Sequence, residues 1–479
     1  HLLGCFMSPR TNRRADRYGG SLDNRLRFTL EVLEAIRKQV GRDFVVGVRT
    51  MGDEMLEGGL THTDMQEVNR RIAQTGLVDY ISILGTTPVT LELHATLMPN
   101  MYYPQGIHAH LAAGIKQVVG DMPVIYAGRV IDPHHAERLL AERQFDLVAM
   151  TRAIFADPEM PNKAREGRLD DIRPCVGANG CIGRVSQGKA VICVHNPALG
   201  REKELAQVAP APLEKKVVVV GGGPAGLEAA RVAAIRGHRV ILFEKENELG
   251  GQVRIAARAP HRAAWGEITR WLEHQCRKLG VEIRTGITAT AETVLAESPA
   301  AVVIATGSEP YRPEVPGAGY GNVVTEREVL QGLAEIGERV VVVDDSHDQE
   351  GLSTAEYLLE QGKQVEIVSR LTTVGADIDL STIPMLYKRV LSKGLVMTPH
   401  TQLKAIEENA LLVENVWTHE PRRVEDVDTI VLATGSRSAD DLYHALKGRV
   451  PEVLLIGDAL SPRRLANAML EANRAGRAI

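Results

Sequence analysis

The chain has 479 residues, enough for two or three domains with sizeable cores. Hydrophobic content of 44% and charged content of 24% are ordinary for a globular protein, and a net charge of −5 leaves no basic footprint, which excludes nucleic acid as an expected partner. No apolar run reaches membrane-spanning length and no signal peptide is visible; five cysteines, three of them clustered, argue against a secreted disulfide framework, so no membrane association and a reducing cytoplasm are expected.

The chain opens at His1, without an initiator Met, in what reads as a strand-to-loop transition, and an N-terminally truncated fragment is expected. Residues 8–28 form a charged, Gly-containing loop that leads into a helix, where Leu26, Leu30, Leu33, Ile36 and Val40 recur at helical spacing. Short apolar runs at Phe44–Arg49, Val78–Leu84, Pro123–Ala127 and Phe145–Met150 predict four strands separated by helical patterns, the arrangement of βα units in a parallel sheet. Thr63 with Gln66 predicts a capping box for the second helix, and Asp132-Pro133 predicts an N-cap and first-turn proline for another. Four such units are half of an eight-stranded barrel; an open parallel sheet is the alternative.

A loop from Pro174 to Pro197 then carries Cys175, Cys181 and Cys193 among Gly, Asn and Pro. Thiols gathered on flexible backbone suit a metal centre, because several thiolates must converge on one point. A structural zinc, or unrelated buried thiols, would also fit this spacing. Ala209–Pro212 reads as a linker.

After it, an all-Val strand runs into Gly221-Gly222-Gly223-Pro224-Ala225-Gly226, and a second strand, Val240–Phe243, ends in Glu244. Gly221, Gly223 and Gly226 allow a tight turn and close approach of a pyrophosphate to a helix N-terminus, and Glu244 can accept hydrogen bonds from an adenosine ribose. Gln252 follows a Gly-Gly pair, Ala305-Thr306-Gly307 follows an apolar strand, and Gly457-Asp458 follows Val453–Ile456. A second dinucleotide domain is expected over residues 320–437, with a strand at Val340–Val343 and a helix at Ala355–Gln361. Its turn reads Asp344-Asp345-Ser346-His347-Asp348-Gln349-Glu350-Gly351, with carboxylates where phosphates would approach. Like charges there are unfavourable, so usual NAD(P)H binding is not expected.

Ser8-Pro9, Asn12, Arg14, Asp16, Tyr18-Gly19-Gly20-Ser21, Asn24-Arg25 and Arg27-Phe28 closely resemble the signature of the old yellow enzyme family of FMN-dependent barrels. The resemblance extends to the trimethylamine dehydrogenase and 2,4-dienoyl-CoA reductase subgroup, in which a 4Fe–4S loop and two nucleotide domains follow the barrel. The glycine pattern and its partners likewise resemble the FAD/NAD-linked disulfide reductase fold. The resemblance implies an α/β fold: the C-terminal half of a (β/α)8 FMN barrel (1–172), an iron–sulfur loop and linker (173–214), an FAD- or ADP-binding domain (215–319 with 438–479) and an inserted degenerate NAD(P)-like domain (320–437). It implies that Arg49 approaches the N1/O2 edge of FMN, and that Gly128, Arg129 and Arg152, after the last two strands, surround its phosphate, with Arg152 opening the family's pattern that ends at Asp157-Pro158. Gly221, Gly223, Gly226, Glu244, Gln252 and Asp458 would bind the second nucleotide. His1 falls where many members carry a proton-donating tyrosine, and is the catalytic candidate. Cys175, Cys181 and Cys193 match three of the family's four cluster ligands; Ala178 stands where the second is expected.

The function so implied is an FMN-dependent dehydrogenase or demethylase of a small N-methylated amine. Its electrons would pass through the iron–sulfur centre to an external acceptor such as an electron-transfer flavoprotein, and a homo-oligomer is expected. The alternatives are an NAD(P)H-dependent 2,4-dienoyl-CoA-type enoate reductase and a non-catalytic flavin-binding subunit.

Overall fold

The computed structural model describes residues 2–142 and 144–479; His1 lies outside them. Contacts divide the chain into two units, one ending at Ile154 and the other running from Phe155 to Ile479.

In the first unit, strands and helices alternate as α1 (Leu22–Val40), β1 (Gly47–Met51), α2 (His62–Gln74), β2 (Tyr80–Leu84), α3 (Ala109–Lys116), β3 (Val124–Ala127), α4 (Pro133–Ala141) and β4 (Leu147–Ala149). The strands pair in parallel in the order β1-β2-β3-β4. This is the βα repeat of a barrel wall. Leu26 and Leu33 of α1, Met65, Val68 and Ile72 of α2 and Ile115 of α3 pack with Ile81, Ile83 and Val124 of the sheet into one core.

The strands begin later than the hydrophobic runs predict. Val46 N–H is taken by the Asp79 carboxylate at 2.6 Å, and Asp79 also receives Arg37 at 2.8 Å, so the ladder starts beyond these residues. The capping box also sits elsewhere. Thr61 and Asp64 form it, and Thr63 lies inside the helix, because Thr61 is the extended residue directly before the first turn. Asp132 caps α4 as expected, accepting from His134 N–H at 3.0 Å, with Pro133 in the first turn. The charged loop at residues 8–28 is fixed by its polar groups: Asn12 donates to Phe6 O and Tyr18 O, and the Ser8 hydroxyl to Glu54 at 2.7 Å.

The second unit contains α5 (Gly180–Ser186), β5 (Lys216–Val220), α6 (Pro224–Ile235), β6 (Arg239–Phe243), α7 (Gly266–Lys278), β7 (Glu282–Arg284), β8 (Ala301–Ile304), β9 (Val323–Thr325), β10 (Arg339–Asp344), α8 (Glu350–Glu360), β11 (Gln364–Val368), β12 (Val396–Thr398), β13 (Thr429–Ala433), β14 (Glu452–Leu455) and α9 (Leu465–Ala478). Strands β14-β8-β5-β6-β7 form one parallel sheet and β9-β13-β10-β11-β12 a second. The second sheet is inserted between β8 and β14. Ser308–Pro310 and Ser436–Ser438 pair antiparallel where the chain leaves the first sheet and returns. Val217, Val218 and Val219 are fully buried, as a central parallel strand covered on both faces requires.

Candidate active site

The first unit brings the phosphate candidates to strand C-terminal ends, whereas Arg49, where the apolar run ends, lies mid-strand because β1 pairs with β2 as far as Met51. Arg49 and Thr50 point to opposite faces of β1. Thr50 is buried and donates to Asn69 of α2 at 2.9 Å, so Arg49 faces away from the helix layer; its Nε donates to Ser82 Oγ of the paired strand at 3.2 Å. In a barrel that face is the interior.

Gly128 and Arg129 follow β3 directly, and Arg152 lies three residues past β4, its neighbour. A Cβ at Gly128 would stand 2.2 Å from the Tyr126 hydroxyl, so the turn requires glycine. Tyr126 is buried; its hydroxyl donates to Gly128 O at 3.0 Å and accepts from His108 N–H at 3.1 Å. Burial raises the phenol pKa and lowers that of His108. Arg129 takes a left-handed φ of 49° and donates to Tyr103 O, while Arg152 donates to Pro99 O at 2.7 Å. Both cations therefore hold the segment between β2 and α3. Two guanidiniums and a glycine turn at neighbouring strand ends fit a phosphate. His94 lies on a short helix, Leu91–Leu97, in the same segment. Nothing in the sequence singled out His108 or Tyr126.

In the second unit the turn after β5 has the shape a pyrophosphate needs. Gly221 has φ 110°, and a Cβ there would meet Ala305 O at 2.2 Å; a Cβ at Gly226 would meet Gly221 O at 1.8 Å. Gly223 is the N-cap of α6, with open space before it. Glu244, at the end of β6, accepts Gly222 N–H at 2.6 Å and Glu246 N–H at 2.9 Å. Gln252 donates to Asp458 and to Ser308, each at 3.0 Å, and accepts from Arg327 at 2.9 Å. Gly221, Gly223, Glu244, Gln252 and Asp458 all line one cavity of about 1620 Å³, larger than the 300–1,000 Å³ usual for one ligand. The residues fit an adenine dinucleotide.

The same cavity reaches the cysteine loop through Ala178 and Cys193. Cys175, Cys181 and Cys193 are half-buried and make no disulfide. Burial raises the Cys193 thiol pKa, while the His195 N–H directed at its sulfur at 3.4 Å acts in the opposite sense. Among the described residues, the one trio of ligand-type side chains drawn within 4.8 Å is His261, Glu356 and Glu360, not the thiols. The three sulfurs are therefore not all within 4.8 Å of one another, as a single tetrahedral ion would hold them, with thiolates about 4 Å apart at a metal–sulfur distance of about 2.3 Å. Both carboxylates of the trio are already paired, Glu356 with Arg389 and Glu360 with Lys393.

Behind the loop lies a polar cluster that the sequence did not reveal. Asp157 accepts Arg173 N–H at 2.8 Å and Lys163 at 2.6 Å. The Arg173 guanidinium stacks on Trp271 at 4.4 Å, Arg231 lies over the same indole at 5.4 Å, and the His195 ring meets it edge-on at 5.1 Å. Burial, then Arg231, pushes the Arg173 pKa down to about 10. Glu228 neutralises Arg231 through two bonds of 2.8 Å.

The turn after β10 differs from that after β5. Asp344 is fully buried; its Oδ1 accepts from Ser346 N–H and hydroxyl at 3.1 and 2.7 Å, and its Oδ2 has no partner among the described residues. Burial pushes the Asp344 and Asp348 pKa values up to about 6. A Cβ at Gly351 would stand 2.5 Å from Asp344 Cγ, so the start of α8 rests on that carboxylate.

Comparison with known proteins places the two parts of the chain in known families. Residues 1–171 match the NADH:flavin oxidoreductase / NADH oxidase family and residues 215–471 match the pyridine nucleotide-disulphide oxidoreductase family. The N,N-dimethylglycine/sarcosine dehydrogenase of Chromohalobacter salexigens is 43% identical over 461 residues, which cover 93% of this chain and 66% of that protein. An NADH oxidase of Thermoanaerobacter brockii is 38% identical over 98% of this chain and 72% of its own length. The structure of a 2-naphthoyl-CoA reductase complex superposes with a TM-score of 0.94 at 32% identity, over 100% of this chain and 72% of that one. The chain thus spans about two thirds of the dehydrogenase's length. No helix of the described residues is long and apolar enough to cross a membrane. The chain belongs to the NADH:flavin oxidoreductase / NADH oxidase family of FMN-dependent oxidoreductases, with a pyridine nucleotide-disulphide oxidoreductase module following its barrel-type domain.

Proposed function

We propose that this chain acts in an FMN-dependent dehydrogenase or demethylase of a small N-methylated amine, such as sarcosine or N,N-dimethylglycine. Electrons leave through an iron–sulfur cluster on Cys175, Cys181 and Cys193 to an external acceptor of the electron-transfer flavoprotein type. The observation that carries this direction is the turn after β10. A buried Asp344 feels the charges of Asp345 and Asp348 in the turn where a dinucleotide domain brings its glycines to a pyrophosphate, and like charges there oppose nicotinamide dinucleotide binding. The similarity to the Chromohalobacter dehydrogenase supports the amine as substrate.

When bound, FMN supplies the hydride acceptor. Arg49 offers a cation where negative charge develops on the reduced ring, and Gly128, Arg129 and Arg152 hold the phosphate. Gly221, Gly223, Gly226, Glu244, Gln252 and Asp458 hold FAD or ADP as a fixed occupant. The domain limits read from the sequence, 1–172, 173–214, 215–319 with 438–479, and 320–437, are part of this proposal.

The test is anaerobic mixing of the full-length enzyme with NADH, NADPH, sarcosine and N,N-dimethylglycine. The amines bleach the flavin and release formaldehyde; the nicotinamides leave it yellow. Rapid bleaching by NADH or NADPH supports the second reading, an enoate reductase. The similarity to a 2-naphthoyl-CoA reductase and an NADH oxidase favours that reading.

A further inference from the structure

The family pattern supplies four thiolates to its cluster; this chain has a methyl group at the second position. An amide, a carboxylate and an imidazole lie near enough in the chain or the fold to compensate. Ala178 is half-buried and lines the nucleotide cavity beside Gly180, Gly183 and Cys193. Its neighbour Asn179 takes a left-handed φ of 54°, and its buried amide donates to Ser381 Oγ at 2.8 Å. The Asp379 carboxylate, which also borders the cavity, accepts from both the Ser381 backbone N–H, at 3.0 Å, and its hydroxyl. Cys193, Val194 and Asn196 line the cavity and His195 does not. Its ring is fully buried, with Nδ1 3.1 Å from Pro174 O and its edge against Trp271. The amide and the carboxylate nearest the gap are thus engaged with other partners, and the His195 Nε2, buried without a hydrogen-bond partner among the described residues, belongs to a ring outside the cavity lining at Ala178.

We propose that the cluster on Cys175, Cys181 and Cys193 has one iron with no protein ligand, facing the nucleotide cavity at Ala178 and closed by an exchangeable small donor such as solvent. This rests on the reading above that the three thiolates hold a cluster. An iron without a thiolate anchor is the one a cluster loses. One-electron oxidation by ferricyanide takes the electron, releases that iron as a ferrous ion and leaves three irons on three thiolates. Ferrous iron with dithionite as electron donor reverses the step.

The experiment treats the anaerobically purified holoenzyme with ferricyanide and reads released ferrous iron and the electron paramagnetic resonance spectrum. Expected is release of about one iron per cluster with the signal of a three-iron centre, reversed by ferrous iron and dithionite. Ala178→Cys supplies the fourth thiolate, and its cluster retains its iron. A wild-type cluster that keeps four irons, as Ala178→Cys does, means that a side chain closes the position and overturns the proposal while leaving the cluster in place. A protein without iron or acid-labile sulfide overturns the cluster itself, and this inference with it.

Discussion

The Glu244 carboxylate accepts the Gly222 N–H at 2.6 Å, which ties the end of β6 to the glycine turn that follows β5. One side chain thereby shapes the turn, and in the proposed function it also helps to hold the nucleotide. Gly226 completes the arrangement, because a Cβ there would press 1.8 Å from Gly221 O. We predict that Gly226→Ala abolishes retention of the adenine nucleotide, whereas Glu244→Gln keeps the fold and weakens retention about tenfold. Nucleotide released on denaturation, quantified by chromatography, checks both; full occupancy in Gly226→Ala would falsify the assignment of this turn.

Arg49 donates to Ser82 and faces away from the helices. A cation at the flavin edge acts mainly on the reduced, negatively charged ring. Arg49→Ala should therefore slow flavin reduction by about 10²–10³-fold, with Arg49→Lys in between. Stopped-flow bleaching of the full-length enzyme measures this. A variant that loses FMN but reduces normally when FMN is added back would instead make Arg49 a binding residue only.

The contrast between local and distant signals explains what could be read from the sequence. The Val217–Val220 strand and its glycine turn were legible because a doubly covered parallel strand is a continuous apolar run and the turn's steric demands are local. The start of β1 was not legible. Phe44 and Val45 look like strand residues, yet they are 62% and 67% exposed, and Asp79, over thirty residues away, captures the Val46 N–H. The two candidate capping boxes at Thr61 and Thr63 have similar chemistry, and only the path of the backbone into α2 selects the first. The cysteines were found by spacing. The surface behind them was not, because Arg173, His195, Arg231 and Trp271 meet through tertiary packing and share no sequence interval.

That surface gives a stability prediction. Glu228 is fully buried, bonded twice to Arg231 and once, at 2.7 Å, by Asn473. Burial opposes its ionisation, but Arg231, Arg173 and Asn473 together outweigh it and the carboxyl pKa falls below its ordinary value. Glu228→Ala leaves Arg231 unpaired beside Arg173 on the same indole and should cost about 3–5 kcal/mol. Urea unfolding followed by Trp fluorescence measures the loss. A cost below about 1 kcal/mol would mean that the Arg231 cation is solvated or rebonded in the variant.

The last prediction concerns pH. Asp344 has its pKa raised from 3.8 to about 6, first by burial and, against the Ser346 bonds, by the Asp345 and Asp348 charges. A raised carboxyl pKa means that the folded state binds more protons than the unfolded state between these two values, so this group's contribution to stability falls as pH rises from about 4 to 6 and is constant above. Asp344→Asn keeps an acceptor for Ser346 and removes the charge. It should stabilise the protein at pH 8 by about 2–3 kcal/mol, at about 1.4 kcal/mol per pKa unit, and the gain should vanish near pH 4. Urea midpoints of wild type and variant at the two pH values test this. A variant less stable than wild type at pH 8 would show that the ionised Asp344 makes a favourable interaction at this turn, and would remove the main physical ground for excluding a dinucleotide there on charge.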